Sequence, residues 1–265
     1  MNVVTFPGLN LKFEISKIAF SILGISVYKY AVCIVVGIVI ALILCKFSKE
    51  KFGVDYDDVL VGTILGIVFG TIGARFYYVI FNFDYYLNNI SQIFNFRNGG
   101  LAIYGGLILG ALVICVYCKK NKIVILNFLD YVIPYIAIAQ SIGRWGNFFN
   151  VEAYGQETTF FLRMGINTSV GYQEVHPTFL YESFSTLLIF IILKFLQKKR
   201  KFQGEIFIVY CLLYSAIRAL LESMRTDSLL LFNFKISQIL SLIILSVSLI
   251  IITIKFKKID MSKKK

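Results

Sequence analysis

Charge and proline are both scarce in this sequence of 265 residues. Charged residues make up 16% and hydrophobic residues 58%, whereas an ordinary soluble domain carries about 25% charged residues. With three prolines and 16% aromatic residues, the chain does not fit the disordered, collagen-like or proline-rich linker classes. Its composition is typical of a membrane protein.

Metal ligands and paired cysteines are scarce too. A single histidine, without a Cys/His/Asp cluster at ligand spacing, argues against a zinc or di-metal site. The five cysteines are an odd number and all lie in apolar runs, so we expect no disulfide framework. Cys115 and Cys118 have the C-x-x-C spacing, but their place in an apolar helix favours helix packing over redox chemistry. The sequence therefore predicts no metal and no cofactor.

Seven apolar stretches are long enough to cross a membrane as helices, which takes about 20 residues each. They lie at roughly 27–46, 58–82, 100–118, 124–147, 178–197, 204–222 and 236–254. Clusters of Lys and Arg follow every odd-numbered stretch, and the positive-inside rule places these clusters in the cytoplasm. Because these short clusters account for most of the basic residues behind the net charge of +12, we expect no nucleic acid partner.

These features predict an all-α integral membrane protein, a polytopic bundle of seven transmembrane helices in one domain, residues 1–265. The N-terminus is expected outside and the C-terminus in the cytoplasm, with a short extracytoplasmic arm and loops. Residues 1–17 lack the basic and apolar regions of a cleavable signal peptide. Leu11–Ile15 alternates in polarity, as a short strand or an interfacial arm would.

Several ionisable side chains fall within the apolar stretches, where each charge costs about 2.5–3.5 kcal/mol at mid-bilayer. Counting the helix rise from the cytoplasmic ends places a polar layer about 18–33 Å up, in the outer half of the membrane. Its members are Tyr30, Arg75, Tyr104, Arg144, Glu182, Arg218 and Glu222. Three arginines indicate an anionic ligand, because guanidinium groups bind phosphate in a bidentate manner. The alternative is that these charges form structural pairs, as Arg218 and Glu222 could do at a spacing of four residues.

The densest group of polar residues is GRWGNFFNVEAYG, from Gly143 to Gly155, at the outer end of the fourth stretch. It combines glycines that permit close approach with one arginine, two amides and Glu152. A capped helix end followed by a turn is the structural alternative. His176, the only histidine, precedes the fifth stretch in HPTFLYE and is either a base or an interfacial hydrogen-bonding residue. The glycine pairs that flank Tyr104 also suit close helix packing.

The run from Gly143 to Gly155 resembles the hallmark G-R-x-G-N-F-x-N-x-E-x-x-G of the prolipoprotein diacylglyceryl transferase family and agrees with it at every fixed position. The resemblance extends over nearly the whole chain. Further matching features are Tyr30, Gly-Ala-Arg at 73–75, the Gly-Gly pairs around 104, the residues at 176–182, and Arg218 with Glu222 and Arg225. Many family members have histidine where this chain has Tyr104, so an imidazole base at that position does not carry over.

The resemblance implies an enzyme of the bacterial cytoplasmic (inner) membrane, with its active site toward the outer leaflet. Such an enzyme transfers diacylglyceryl from phosphatidylglycerol to the lipobox cysteine thiol of a preprolipoprotein, forming a thioether and releasing glycerol 1-phosphate. Its partners would be phosphatidylglycerol, the preprolipoprotein signal peptide and the lipid bilayer. A transporter or permease subunit for a small anionic solute is the alternative, although the chain lacks the repeat symmetry common in transporters.

Residue roles follow from the chemistry and from the resemblance together. The candidate catalytic residues are Arg218, Glu222, Glu152 and Tyr104. The candidate substrate-binding residues are Arg144, Tyr30, Asn147, Asn150, Gly155, Arg75 and His176. Arg218 is expected to stabilise charge on the leaving phosphate, and Arg144 to hold the head group. Either Glu152 or Glu222 could relay a proton or orient an arginine, and the sequence leaves both open.

Overall fold

A computed structural model describes residues 2–96, 99–169, 171–226, 230–231 and 234–263. Within these residues, seven helical segments are long and apolar enough to cross a membrane, as predicted. The helices are Lys29–Lys46 (α1), Tyr56–Phe81 (α2), Phe83–Leu87 (α3, short), Ile103–Lys120 (α4), Ile125–Gly143 (α5), Trp145–Asn150 (α6), Thr178–Gln197 (α7), Glu205–Met224 (α8) and Ile236–Lys263 (α9). Helices α5 and α6 together make the fourth segment, interrupted only at Arg144.

Several helix ends differ from the predicted stretches, most of them by one to three residues, and the largest difference is at the end of α9. The last stretch was expected to end at residue 254, but α9 continues to Lys263, so Lys255, Lys257 and Lys258 of the basic cluster are helical. Helix α4 begins at Ile103 rather than residue 100, because Gly99 and Gly100 adopt φ angles of 81° and 73°, outside the helical region. The predicted fold class is confirmed, whereas the orientation of the termini and the single domain stay predictions.

Short strands accompany the helices, and the sequence analysis predicted only one candidate among them. They are Asn2–Phe6 (β1), Leu11–Ile15 (β2), Ile18–Ile22 (β3), Ile25–Tyr28 (β4), Met164–Thr168 (β5), Gly171–Val175 (β6), Leu230–Leu231 (β7) and Phe234–Lys235 (β8). An antiparallel sheet has the order β2-β1-β5-β6, and two hairpins pair β3 with β4 and β7 with β8. The sheet's apolar face packs against Phe148 of α6 and Phe179 of α7, so it fixes the ends of both helices.

The chain forms two compact units, Met1–Glu50 with Val132–Lys265 and Lys51–Tyr131. In the first unit, Gly37 lets α1 approach α5 closely, since a Cβ there would lie 2.9 Å from the carbonyl oxygen of Ala139. In the second unit, Gly106 of α4 faces Gly70 of α2 in the same way, at 3.0 Å. Close packing of small residues, rather than a hydrophobic effect between helices, is how membrane helices associate.

Candidate active site

A buried carboxylate joins two of the predicted arginines in the first unit. Glu182 lies in the first turns of α7, with its side chain 5% exposed. Its Oε1 forms an ion pair with Nη2 of Arg144, and its Oε2 lies 3.6 Å from Nη1 of Arg218. Arg144 lies between α5 and α6, and Arg218 lies on α8. Three helical segments therefore bring their charges together at Glu182.

Arg218 also forms an ion pair within its own helix. Its Nη2 lies 2.7 Å from Oε2 of Glu222, one turn further along α8. The pairing offered as a structural alternative is therefore present. The geometry of this contact is not that of a hydrogen bond, and Nη1 of Arg218 likewise has no hydrogen-bond acceptor in the described part of the chain. Arg218 thus retains donor capacity in a buried setting, where an unused donor is costly unless a ligand meets it.

Two stacked tyrosines of α8 complete the cluster. The hydroxyl of Tyr214 donates to Oε1 of Glu182 at 3.1 Å and accepts from Nη2 of Arg144 at 3.4 Å. One turn earlier, Tyr210 donates to Oε1 of Gln140 at 2.7 Å, and the two rings are nearly parallel with centroids 5.6 Å apart. Neither tyrosine was predicted from the sequence. Their spacing of four residues, with Arg218 four further on, was the available signal, because it puts all three on one helix face.

The second half of the glycine-rich motif forms a tight turn that returns Glu152 onto α6. Val151 and Ala153 have φ angles of 54° and 56°, which are unusual for residues other than glycine. Oε1 of Glu152 accepts from Nδ2 of Asn147 at 3.0 Å and from Nδ2 of Asn150 at 3.2 Å. The capped helix end that was given as the structural alternative is therefore present, and strained backbone of this kind is often held at functional sites.

The first turn of α1 packs against the start of α6. Gly146 lies against the ring of Tyr30, since a Cβ at position 146 would be 2.6 Å from Cδ2 of that ring. One residue earlier, Nζ of Lys29 lies 4.9 Å from the centroid of the Phe149 ring. A glycine is thus required at 146 for the close approach that positions Tyr30 next to the motif.

Gly155 and His176 meet at the other end of the motif. The amide of Gly155 donates to the carbonyl oxygen of His176 at 2.9 Å, and a Cβ at position 155 would lie 2.8 Å from Cβ of His176. Nδ1 of His176 lies 3.2 Å from the hydroxyl of Tyr181. The next residue, Gln156, donates its amide to the carbonyl of Met224 at the end of α8. The motif therefore links α6, α7 and α8 by backbone contacts.

Arg75 and Tyr104 belong to the second unit. Arg75 is 4% exposed and donates to four backbone carbonyls, those of Gln92, Ile93, Gly99 and Gly100, at 2.5–3.0 Å. It also lines two cavities of about 350 and 380 Å³. Four of its five N–H donors thus bond backbone carbonyls of the segment between α3 and α4 and hold that segment in place, which is a structural role. Tyr104 is half-buried in the first turn of α4. Substrate binding by Arg75 and catalysis by Tyr104 stay predictions.

The arrangement suits recognition of an anion next to a proton-handling group. Two guanidinium groups and a tyrosine hydroxyl surround one carboxylate, and each guanidinium can also meet a phosphate oxygen. No group of three His, Cys, Asp or Glu side chains in the described ranges could hold a metal ion. The side chains of this cluster can contribute hydrogen bonding, charge and proton transfer.

Comparison with known proteins finds relatives over most of the chain. The family model for prolipoprotein diacylglyceryl transferase matches residues 17–254. Proteins called phosphatidylglycerol--prolipoprotein diacylglyceryl transferase are 44% identical in Clostridioides difficile, over 86% of this chain and 90% of the relative, and 40% identical in Finegoldia magna, over 91% and 96%. A relative of that name from Enterococcus faecalis is 41% identical over 91% of both chains.

The match includes the glycine-rich motif and the residues of α7 and α8 that meet at Glu182, and it favours a transferase over a transporter. The expected resemblance is confirmed over most of the chain. The chain is a transferase and belongs to the prolipoprotein diacylglyceryl transferase family.

Proposed function

We propose that this chain transfers the diacylglyceryl group of phosphatidylglycerol to the lipobox cysteine of a preprolipoprotein, releasing glycerol 1-phosphate. The observation that supports this most is the meeting of Arg144 and Arg218 at Glu182. A phosphodiester needs two properties of such a site: donors for its anionic oxygens and a way to stabilise further charge on the leaving group. The two arginines divide these tasks.

Arg144 holds the phosphate of the bound lipid. Both of its contacts in the described part of the chain use Nη2, which leaves Nε and Nη1 for phosphate oxygens. Guanidinium remains protonated in a pocket of low dielectric constant, unlike an ammonium group. Glu182 and Tyr214 fix the direction of this guanidinium, so little side-chain entropy is lost when the lipid binds.

Arg218 stabilises the transition state. The sulfur of the substrate cysteine forms a bond to the glycerol carbon as the bond from that carbon to the phosphate oxygen breaks, and negative charge collects on the departing phosphate. The donor Nη1 of Arg218 is buried and has no hydrogen-bond acceptor among the described residues, so it can meet this charge without giving up a hydrogen bond. Preorganised donors of this kind typically contribute about 10²–10³-fold in rate.

The thiol proton also needs an acceptor. A free cysteine thiol has a pKa of about 8.5, so it is mostly protonated at neutral pH. Glu222, which is paired with Arg218, and Glu152, which is held by Asn147 and Asn150, are the two candidate acceptors. Tyr104 is a weaker catalytic candidate, which would donate a hydrogen bond rather than accept the thiol proton. Tyr30, Gly155 and His176 shape the surrounding walls.

The location of the reaction is part of this proposal. The enzyme lies in the bacterial cytoplasmic membrane, with its N-terminus outside, its C-terminus in the cytoplasm and its active site toward the outer leaflet. The basic residues at the end of α9 support the orientation, because positive loops remain in the cytoplasm. Phosphatidylglycerol reaches the site from the bilayer, and the signal peptide presents its cysteine at the same depth.

The test uses purified protein with phosphatidylglycerol and a lipobox peptide, following glycerol phosphate release and the peptide mass. We expect a peptide-dependent release and a diacylglyceryl mass gain, lowered at least about 100-fold in Arg218→Ala and strongly reduced in Arg144→Ala. Arg163→Ala is the matched control, because among the described residues the Arg163 side chain pairs only with Glu174 of the sheet. Absence of turnover by folded wild-type protein would refute the proposal and favour transport of an anionic solute.

A further inference from the structure

The hairpin of β3 and β4 carries an exposed apolar face. Cross-strand partners lie on the same face of a hairpin, and here Phe20 pairs with Val27 and Ile22 with Ile25. Phe20, Ile22 and Ile25 are each about half exposed, at 50%, 57% and 49%. The opposite face presents the Ser21 and Ser26 pair, whose hydroxyls are 3.4 Å apart. No charged residue occurs between 18 and 28.

The tip of this hairpin places a leucine at a positive φ angle, a backbone conformation that Asn and Gly adopt more readily. Leu23 and Gly24 form its two-residue turn with φ angles of 51° and 78°. Positive φ at both positions defines a type I′ turn, in which Asn-Gly is preferred. Leucine is unusual at the first position, and this leucine is 97% exposed. A side chain this exposed buries almost no apolar surface within the chain. Any stabilisation from its burial must therefore come from its surroundings.

The position of the hairpin identifies those surroundings. Tyr28 ends β4, and Lys29 begins the membrane-spanning helix α1 with no residue between them. The amide of Lys29 donates to the carbonyl of Lys17 at 2.9 Å, so both lysines stand at the base of the hairpin. An apolar face bounded by lysines and continuous with a spanning helix fits the boundary between lipid head groups and acyl chains.

We propose that the hairpin from Lys17 to Lys29 is an interfacial membrane anchor, with Leu23 and the Phe20–Ile25 face inserted into the lipid leaflet that contains the start of α1. The serine face and the outer strand edges remain toward water and head groups, because unpaired backbone groups are not tolerated in the hydrocarbon core. The lysines at its base attract anionic lipid.

The anchor has a consequence for the site. Lys29 contacts the ring of Phe149, and Tyr30 packs on Gly146, so the base of the hairpin is joined to α6. Anchoring the hairpin therefore fixes the depth at which the first turn of α1 meets the glycine-rich motif. This inference does not depend on the reaction proposed above.

The test places a photoreactive benzophenone amino acid at Ile22 in the full chain, reconstituted in vesicles that contain phosphatidylglycerol, with lipobox peptide present. The same amino acid at Tyr172 is the control, since Tyr172 is 55% exposed on β6 beside Glu174. After illumination, intact mass distinguishes adducts with lipid, with peptide and with a second copy of the chain. We expect lipid adducts from position 22 and at least about fivefold fewer from position 172.

Leu23→Asn keeps the fold while removing the apolar tip, because Asn-Gly favours the same turn. In this variant the lipid adducts from position 22 should fall by about fivefold or more, with unchanged thermal unfolding in detergent. The proposal is overturned if position 22 labels peptide or a second copy instead of lipid, if it gives no adduct, if position 172 labels lipid equally, or if Leu23→Asn leaves the lipid adducts unchanged.

Discussion

Nη1 of Arg218 lies 3.6 Å from Oε2 of Glu182, close enough for an ion pair and too far for a hydrogen bond. The carboxylate therefore holds this guanidinium in place electrostatically without using its donor. A phosphate oxygen that approached Nη1 would complete a bond that the chain itself leaves unmade. Glu182 thus positions both Arg144 and Arg218. Its place in the predicted polar layer did not by itself indicate this role.

Replacing Glu182 with glutamine should strongly destabilise the protein. The carboxylate is nearly buried, and its loss leaves Arg144 and Arg218 without their shared counter-charge. Breaking a buried ion pair from one side typically costs about 3–5 kcal/mol. We expect a clearly lower midpoint of thermal unfolding in detergent. Glu174→Gln is the control, because its pair with Arg163 is partly exposed and should contribute at most about 1 kcal/mol. Equal midpoints for the two variants would contradict this role.

Tyr214→Phe should reduce transferase activity strongly while it lowers the free energy of unfolding only modestly. The hydroxyl of Tyr214 contacts both Arg144 and Glu182, and its loss frees the guanidinium to rotate. One such hydrogen bond to a charged group contributes about 1.5–3 kcal/mol, so we expect glycerol phosphate release to fall by roughly 10–100-fold. Tyr210→Phe is the control, because it removes a neighbouring hydroxyl whose one hydrogen bond in the described part of the chain is to Gln140. If the two variants lose activity equally, Tyr214 has no special function at the arginines.

Seven spans and the principal charged residues could be predicted from the sequence, because apolar length and intramembrane charge are local signals. The sheet could not, since β1 pairs with β5 across about 160 residues and neither strand has a strong pattern of its own. Arg75 shows the same difficulty. Its depth and charge matched those of Arg144, yet its donors close a loop through backbone carbonyls that no residue pattern encodes.

Most residues of the site were predicted from the sequence, but the contacts between them were not. Arg144, Arg218 and Glu222 were expected at one depth, and the structure brings them together in one unit through Glu182. Tyr214 was missed because a tyrosine in an apolar helix is common, and only its partners distinguish it. The sequence left both Glu152 and Glu222 as candidate proton acceptors, because such a role is defined by distance to the substrate thiol and not by residue type.

Gly146→Ala should impair both folding and activity. The added methyl group would meet the Tyr30 ring at 2.6 Å from Cδ2, so Tyr30 or α6 must move. Overpacking of this kind typically costs about 1–3 kcal/mol. We expect a lower unfolding midpoint and a raised KM for phosphatidylglycerol, because Tyr30 faces the motif. The control is Gly143→Ala, three residues earlier at the end of α5, where a Cβ has no neighbour within 4 Å. If Gly143→Ala were the more harmful change, the steric explanation would fail.

Lys235→Met should weaken the end of α8 and, through it, the reaction. The ammonium of Lys235 donates to the carbonyls of Glu222 and Arg225 at 2.7 Å and of Ser223 at 3.2 Å. These carbonyls lie at the C-terminal end of α8, where the amide of Arg225 also donates to the carbonyl of Glu222 at 3.3 Å, and a cation at a helix C-terminus favours the helix dipole. Methionine keeps the apolar stem, so the change isolates the charge and its bonds.

The expected loss for Lys235→Met is about 1–3 kcal/mol of unfolding free energy, with a several-fold lower kcat, because the turn that frays carries Glu222, the ion-pair partner of Arg218. Thermal unfolding and glycerol phosphate release measure the two effects. Lys12→Met, on the exposed strand β2, controls for the loss of one positive charge. Lys235→Arg should restore part of the stability, since a guanidinium can also donate to carbonyl oxygens. If Lys235→Arg were as stable as the wild type but as slow as Lys235→Met, Lys235 would act on the reaction by more than capping the helix.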